Sequence, residues 1–166
     1  MATIIKPNEL EFKADPSALA QFDLKTLSPR LSTIVNSKHF MFDIRLLEPG
    51  KYSFPYHFHR NAEELILILS GSVTIRTSQG LEIANAGEIV FFEMGETGVH
   101  QLYNHGNVPC TYLDLKTTIG IDVVEYPDSG KINISPYREI YEKNSQVEYN
   151  KGESDVQKIW DTLKNK

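Results

Sequence analysis

The sequence predicts an all-β protein, and three observations support this fold class. From Phe40 onward, short apolar runs alternate with turn signals at a spacing of roughly ten residues, the pattern of a β sandwich or barrel. Eight phenylalanines and eight tyrosines provide aromatic side chains of the kind that β-strands favour. With 166 residues, of which 40% are hydrophobic, the chain is long enough for one sizeable core and too short for two.

The segment before the first strand predicts a short helix. Asp15 is a suitable N-cap, Pro16 fits the first helical position, and Leu19 and Phe22 give a narrow apolar stripe. The strands that begin at Phe40 are separated by turns rich in glycine, proline, asparagine and serine. These turns lie at residues 48–50, 70–72, 78–80, 85–87 and 104–107.

The C-terminal region changes to a helical period. Ser154 and Gln157 have the spacing of a capping box. The apolar residues that follow at helical spacing are Val156, Ile159, Trp160 and Leu163. Because this helix has one apolar face, we expect it to dock on the body of the protein or on a partner.

Composition argues against several classes of protein. The formal net charge of −5, without a basic run, argues against a nucleic-acid-binding protein, because phosphates need cationic side chains. No apolar stretch reaches the length of about 18 residues that a membrane-spanning helix needs, and residues 1–10 lack the features of a signal peptide. Cys110, the one cysteine, cannot form an internal disulfide, so we expect a buried thiol in a reducing, cytoplasmic setting.

Two histidines and a glutamate lie close together between two apolar, strand-like runs. His57 and His59 are two residues apart, so on a strand their imidazoles point to the same face. Glu64 follows a polar turn, and His100 arrives later in the segment G-V-H-Q-L-Y-N. Imidazoles and a carboxylate in an apolar setting are costly unless something satisfies them, and a metal ion does so. These four residues are therefore candidate ligands of one metal ion.

The spacing of these residues resembles the two motifs of the cupin superfamily. The first motif corresponds to Gly50-x6-His57-x-His59-x4-Glu64-x6-Gly71, with one extra residue between the first glycine and the first histidine. The second motif is matched by Gly87, Gly95, His100 and Asn104. Glu93 stands where the second motif has proline, and the interval from Gly95 to His100 is two residues longer than usual. We therefore expect the loop before His100 to differ in shape.

The resemblance implies a cupin double-stranded β-helix, a jelly-roll-like barrel, over residues 38–118. Residues 1–37 would form a short N-terminal extension. Residues 119–166 would form a C-terminal extension that ends in the amphipathic helix. The resemblance also implies that His57, His59, Glu64 and His100 bind one divalent transition metal.

Three imidazoles and one carboxylate leave one or two positions open on an ion that takes five or six ligands. This suits Mn(II), Fe(II), Ni(II) or Co(II), whereas zinc is satisfied by four ligands and keeps less room for substrate. Cupins with similar ligands include dioxygenases, oxalate-degrading enzymes, germins and isomerases of the phosphoglucose isomerase type. The resemblance thus implies an oxygenase or a sugar or sugar-phosphate isomerase that acts on a small polar molecule. The alternative is a non-catalytic protein that binds a metal or small ligand, including a regulatory one. The sequence identifies no catalytic residue.

Other polar and aromatic residues near the motifs have simpler interpretations. Only Glu64, and not Glu63, lies seven residues before Gly71 as the first motif requires. The residues expected in solvent are His39, Glu63, Glu93, Glu96 and His105. Asn104 is expected to hold a turn, and Tyr103 and Tyr112 to fill the barrel or line its rim.

A closer resemblance is to small bacterial single-domain cupins that carry H-x-H-R-x-x-E-E, then L-S-G, and later H-Q-L-Y-N. They also carry V-V-E-Y-P-D-S-G-K beyond the barrel, which here is residues 123–131. Residues 128–130 read as a turn of unassigned role. This group supplies no activity that could be transferred.

The strands around the first motif are apolar on both faces. Tyr52, Phe54, Tyr56 and Phe58 should point away from the histidines, as should Leu65, Leu67 and Leu69 away from Glu64. An outer face in water would be polar, so something should cover this one. The cover is either the N-terminal segment or a second copy of the chain, or both. Of these we favour a homodimer.

Overall fold

The fold of the described chain, residues 2–164 of a computed structural model, is a barrel of antiparallel strands, which confirms the predicted all-β class. The strands are β1 (Glu11–Ala14), β2 (Leu24–Ser28), β3 (Phe40–Leu47), β4 (Phe58–His59), β5 (Glu64–Ser70), β6 (Ser72–Thr77), β7 (Gly80–Asn85), β8 (Ile89–Phe92), β9 (Gln101–Tyr103), β10 (Cys110–Thr117), β11 (Asp122–Tyr126), β12 (Lys131–Ser135) and β13 (Glu139–Glu142). The helices are α1 (Leu31–Ile34), α2 (Val156–Lys164) and two single 3-10 turns, Pro7–Glu9 and Glu96–Gly98.

Two layers of strands enclose the core. One layer is a six-stranded sheet in the order β1-β2-β3-β10-β5-β8. The other contains β13-β12-β11-β4 and β7-β6-β9, which meet where His57 pairs with His100 and Tyr52 with Tyr103. Because successive side chains of a strand alternate between its faces, every second residue points between the layers.

The space between the layers is apolar at one end and polar at the other. Ile66 and Ile68 of β5 point inward and are each 1% exposed, whereas Leu65 and Leu67 are only half-buried. Burying one such aliphatic side chain stabilises the fold by about 1.5–3 kcal/mol. Residues packed with them include Leu24, Leu47, Val73, Ile75, Leu102 and Tyr112. Buried charged residues occupy the other end: Asp43, Arg45, Glu64 and Asp114.

The N-terminal segment forms two strands, and the predicted helix around residues 15–22 is wrong. The Asp15 carboxylate accepts hydrogen bonds from the Ser17 N–H and hydroxyl, which close a turn instead of capping a helix. Beyond this turn β2 pairs with β3, and β1 pairs with β2. Pairing with a strand of the barrel outweighs the weak helical pattern. The boundaries at residues 37 and 118 stay predictions, although β2 and β11 join the sheets on either side of them.

The C-terminal helix α2 forms as predicted, but the barrel does not bury its apolar face. Gln157 donates to Asp161 instead of closing the expected capping box with Ser154. The apolar residues of the helix are 49–59% exposed: Val156, Ile159, Trp160 and Leu163. Docking on the body of the protein is therefore not observed in the described residues, and docking on a partner stays a prediction. Among residues 2–164, no helix has the length and apolar character to cross a membrane.

The strand that carries the first two histidines is shorter and more irregular than predicted. Only Phe58 and His59 form β4, and residues 53–56 bend. The sequence predicts that Tyr56 and Phe58 lie on a covered face, and they form a small buried cluster with Val99 and are 4–9% exposed. Val99, which follows the 3-10 turn Glu96–Gly98, packs on this face, and a strand pattern alone does not reveal that contact.

Candidate metal centre

Four side chains from three segments meet at the polar end of the barrel. His57 and His59 come from the β4 segment, Glu64 is the first residue of β5, and His100 pairs with His57 across the sheet. All four are 2–8% exposed. Four titratable side chains buried together need partners for their polar atoms.

The potential ligand atoms face one another at short range. Those of His57, His59 and Glu64 lie within 4.8 Å of one another. Glu64 Oε2 is 3.4 Å from His59 Nε2 and 3.7 Å from His100 Nε2. The ring centroids of His57 and His100 are 4.7 Å apart, so the fourth candidate belongs to the same cluster. The structure thus brings together every residue that the sequence nominates as a ligand.

Hydrogen bonds at Nδ1 fix the orientation of the three imidazoles. In His57 and His100 the Nδ1–H donates to the backbone carbonyl two residues earlier in the chain, at 2.9 Å in each case. In His59 the Nδ1–H donates to Asp122 Oδ2 at 2.5 Å. With Nδ1 engaged, Nε2 is the nitrogen that each ring can offer to a metal ion, and those of His59 and His100 lie beside Glu64. This is the arrangement that metal-binding histidines adopt.

Burial and charge set the protonation of the cluster. Burial lowers the pKa of His57 to about 3 and also lowers the pKa of His100, so both rings are neutral near pH 7. Burial acts against the charged form of His59 too, but hydrogen bonds to Asp122 and Glu64 outweigh it and raise the pKa of His59. For Glu64, burial is outweighed by the surrounding imidazoles, which lower its pKa. The cluster therefore holds a carboxylate, two neutral imidazoles and a third imidazole that binds a proton more readily than a free histidine does.

The donor set fits a divalent transition metal. Three Nε2 atoms and a carboxylate oxygen are ligands that Mn, Fe, Co, Ni and Zn all accept. A cation would also compensate the negative charge of Glu64, which lies 3.4 Å from His59 Nε2. Aromatic rings line the surroundings, with Phe92 stacked on His100 at 3.6 Å and Tyr126 stacked on His57 at 6.0 Å between ring centres. These rings limit the access of water.

Asp122 is a functional residue that sequence reasoning missed. It stands 63 residues from His59 in the chain, at the start of β11, which pairs with β4. One carboxylate oxygen holds the His59 ring, and the other accepts a hydrogen bond from the Asn61 N–H at 3.0 Å. An acid at the start of a strand has no local signal that would connect it with a distant histidine.

A chain of buried charges behind Glu64 was also missed. Asp114 hydrogen-bonds to Glu64 and pairs with Arg45 at 3.0 Å, and burial with the nearby Glu64 raises the pKa of Asp114 to about 7. Arg45 lies 3.9 Å from Asp43, which accepts a hydrogen bond of 2.7 Å from Arg30. The available signal was the placement of charged residues inside apolar runs, in F-D-I-R-L and Y-L-D-L-K.

The other residues near the motifs lie where simpler interpretations put them. The exposed side chains include His39, Glu63, Glu93, Glu96 and His105. Asn104 is fully buried and holds its turn, donating to the carbonyls of Leu47 and Val108 and accepting from the Gly106 N–H. Tyr112 is 2% exposed and fills the barrel.

Comparisons with known proteins agree with this architecture. Residues 44–116 match the family described as Cupin domain. Among solved structures, a sugar phosphate isomerase of the cupin superfamily from Silicibacter pomeroyi is 18% identical, with a TM-score of 0.74 over 89% of this chain and 98% of that one. A protein from Acidithiobacillus ferrooxidans, provisionally named a sugar phosphate isomerase, is 25% identical, with a TM-score of 0.67 over 75% and 80% of the two chains. A predicted oxalate decarboxylase from Thermotoga maritima is 18% identical, with a TM-score of 0.60 over 70% and 100%. No curated protein matches the chain.

Proposed function

We propose that this protein, whose residues 44–116 match the Cupin domain family, is a metal-dependent enzyme for a small polar substrate that carries a hydroxyl group beside a carbonyl. Sugars and sugar phosphates have this chemistry. The proposal rests on one observation above all, the convergence of oriented imidazole nitrogens on the Glu64 carboxylate. His57, His59, Glu64 and His100 would hold one divalent ion of Mn, Fe, Ni, Co or Zn.

Isomerase chemistry is the form of this proposal that we favour. The Acidithiobacillus ferrooxidans protein, which is named for that activity, is 25% identical over 75% of this chain. When bound, a divalent ion supplies a Lewis acid with open positions that can take both oxygens of a hydroxy-carbonyl group. Aldose–ketose isomerisation then needs a proton to move between adjacent carbons and no second substrate. The reducing cytoplasm, expected from the lone buried Cys110, would suit such an ion.

The chain's own residues would bind the metal ion, orient its ligands and shield the reacting group from water. His57 and His100 are neutral through burial and present Nε2 without losing a proton. Asp122 holds the ring of His59, while Asp114 holds the Glu64 carboxylate from behind. Phe92 and Tyr126 pack on two of the imidazoles and exclude water from the reacting group.

Elemental analysis of protein purified without a metal-affinity step tests the metal centre. The same protein, reloaded with Mn(II), Fe(II), Ni(II) or Co(II), is then incubated with aldoses, ketoses and their phosphates in D2O. An isomerase incorporates deuterium beside the carbonyl, which NMR detects, and the double variant His57→Ala/His59→Ala does not. Oxygen uptake is recorded in parallel.

Each outcome separates the candidate functions. Deuterium incorporation that depends on the metal and the two histidines supports the isomerase. Oxygen consumption without isotope exchange would favour an oxygenase over an isomerase. Stoichiometric metal without either reaction would favour the non-catalytic binding protein. A double variant that binds metal as tightly as the wild type would refute the assignment of the ligands.

A further inference from the structure

The hairpin formed by β11 and β12 builds one wall of the metal centre. Val124 of β11 pairs with His59 on one side and with Asn133 of β12 on the other. Residues opposite each other on neighbouring strands point to the same face of the sheet. Asn133 therefore faces the same side as His59. Tyr126, two residues after Val124, shares this face and stacks on His57 with an interplanar angle of 24°.

Asn133 has an unsatisfied oxygen on this wall. Within residues 2–164, its Oδ1 is the buried side-chain atom for which no hydrogen-bond partner is found. Its amide lies near the Tyr126 hydroxyl and acts to lower the pKa of Tyr126, although burial has the larger effect and raises it. Lys131 Nζ lies 4.8 Å from the centre of the same ring. A buried carbonyl oxygen without a donor is unfavourable unless a ligand supplies one.

The wall is held firmly against the barrel. Asp128, in the turn between β11 and β12, accepts two hydrogen bonds from Arg76 of β6, at 2.6 and 2.9 Å. The Arg76 guanidinium in turn lies 3.8 Å from the ring centre of Tyr56. On β11 itself, Glu125 pairs with Arg60 and with Lys143. A fixed wall can position polar groups for a ligand.

We propose that Asn133 and Tyr126 bind a hydroxyl group of the substrate beyond the two oxygens at the metal, so that this protein selects polyhydroxylated carbonyl compounds over shorter ones. Asn133 Oδ1 accepts a hydrogen bond from that hydroxyl, and the Tyr126 hydroxyl donates to it. This inference rests on the proposed function, and it gives a role to Tyr126, which lies within the segment 123–131 that the metal ligands do not explain.

Two probes separate the wall from the metal. Hydroxyacetone has the hydroxy-carbonyl group and no further hydroxyl, whereas D-xylulose has the same group and three more hydroxyls. Each probe is titrated into the Mn(II)-loaded protein, and displacement of water is followed by proton relaxation. For Asn133→Leu we expect D-xylulose binding to weaken by about tenfold, the effect of one lost hydrogen bond, and hydroxyacetone binding to stay within twofold. Tyr126→Phe keeps the aromatic ring. It should weaken the binding of D-xylulose by less than tenfold and leave the binding of hydroxyacetone unchanged.

The controls keep the two proposals distinguishable. Asn144→Leu makes the same change at an exposed position beyond β13 and should leave both titrations unchanged. Circular dichroism and Mn(II) affinity report whether the variants are folded and loaded. Wild-type protein that binds no Mn(II) would overturn the metal centre and, with it, this inference. The inference would be overturned, while the metal centre stands, if Asn133→Leu changed the binding of both probes equally or of neither probe. It would also be overturned if the Mn(II)-loaded wild type bound neither hydroxyacetone nor D-xylulose.

Discussion

At the scale of single residues, Asp122 is the side chain that most directly supports the candidate metal centre. Its carboxylate fixes the ring of His59 and makes that imidazole a stronger donor. We expect Asp122→Asn to weaken divalent metal affinity by about 10–100-fold, because such partners of ligating histidines have effects of this size. Titration calorimetry with Mn(II) measures the change, and Asp128→Asn, on the same hairpin, is the matched control. Equal affinities for the two variants would refute this role.

The proton on His59 gives the centre a defined pH dependence. The pKa of His59 is raised above the ordinary value of 6.5, so its proton competes with a metal ion already above that pH. His57 and His100, whose pKa values are lowered, compete only in more acidic solution. We expect Mn(II) affinity to fall as pH drops from 8 to 6, by up to about tenfold per unit below the pKa of His59. Electron paramagnetic resonance of free Mn(II) follows this, and a flat profile would contradict the prediction.

The convergence of the four candidate ligands was predictable from the sequence because their signal is local. His57, His59 and Glu64 lie within one short segment, and His100 lies in a second motif with its own spacing. The roles of Asp122 and Asp114 could not be predicted, because they depend on which strands become neighbours in the fold. Asp122 acquires its role when β11 pairs with β4, and no residue near it in sequence records that pairing.

At the scale of elements, the loop before His100 shows how backbone packing determines a ligand's position. A Cβ atom on Gly98 would clash with the Glu93 carbonyl oxygen, and the Gly98 carbonyl itself accepts a hydrogen bond from the His100 Nδ1–H. We expect Gly98→Ala to lower the free energy of unfolding by about 1–3 kcal/mol, as overpacking does, and to weaken metal binding. Urea unfolding and Mn(II) titration measure the two effects. Thr97→Ala, in the same turn and exposed, should change neither by a comparable amount.

Elements with strong periodicity could be predicted, and those that depend on a distant partner could not. The turns and the helix α2 follow from residue type and spacing. The strands β1 and β2 form because the edge of β3 accepts them, which overrides the weak helical pattern after Asp15. The same explanation holds for Phe58, whose burial depends on the neighbouring β11.

At the scale of the whole molecule, the six-stranded sheet keeps an apolar outer face. Leu65 and Leu67 are half-buried, and their neighbours Phe91 and Ile89 on β8 are 53% and 64% exposed. A face of this kind is typical of protein–protein contacts, and a homodimer remains the occupant that we favour. Light scattering should give twice the chain mass of 18.9 kDa. Leu67→Glu should give monomers, because an unpaired buried carboxylate is costly. Thr74→Glu, on the other layer, is the control, and a monomeric wild type at tens of micromolar would defeat the idea.

The division of the interior into an apolar and a polar end bears on what the metal does for the fold. Ile66, Ile68, Leu47 and Val73 are each 0–1% exposed and hold the two layers together without using any metal ligand. When no cation is bound, a doubly protonated His59 ring would donate to Asp122 through Nδ1 and to Glu64 through Nε2. We therefore expect chelation to leave a folded protein.

The melting temperature of the chelated protein should fall only as far as the loss of one bound ligand requires. That loss corresponds to about 2.7 kcal/mol of stability at a metal concentration one hundred times Kd. Near-ultraviolet circular dichroism of the chelated protein, followed by recovery of Mn(II) binding, checks this. If the chelated protein were unfolded at room temperature, the ion would be required to hold the barrel together. That result would favour a structural role for the metal over a catalytic one.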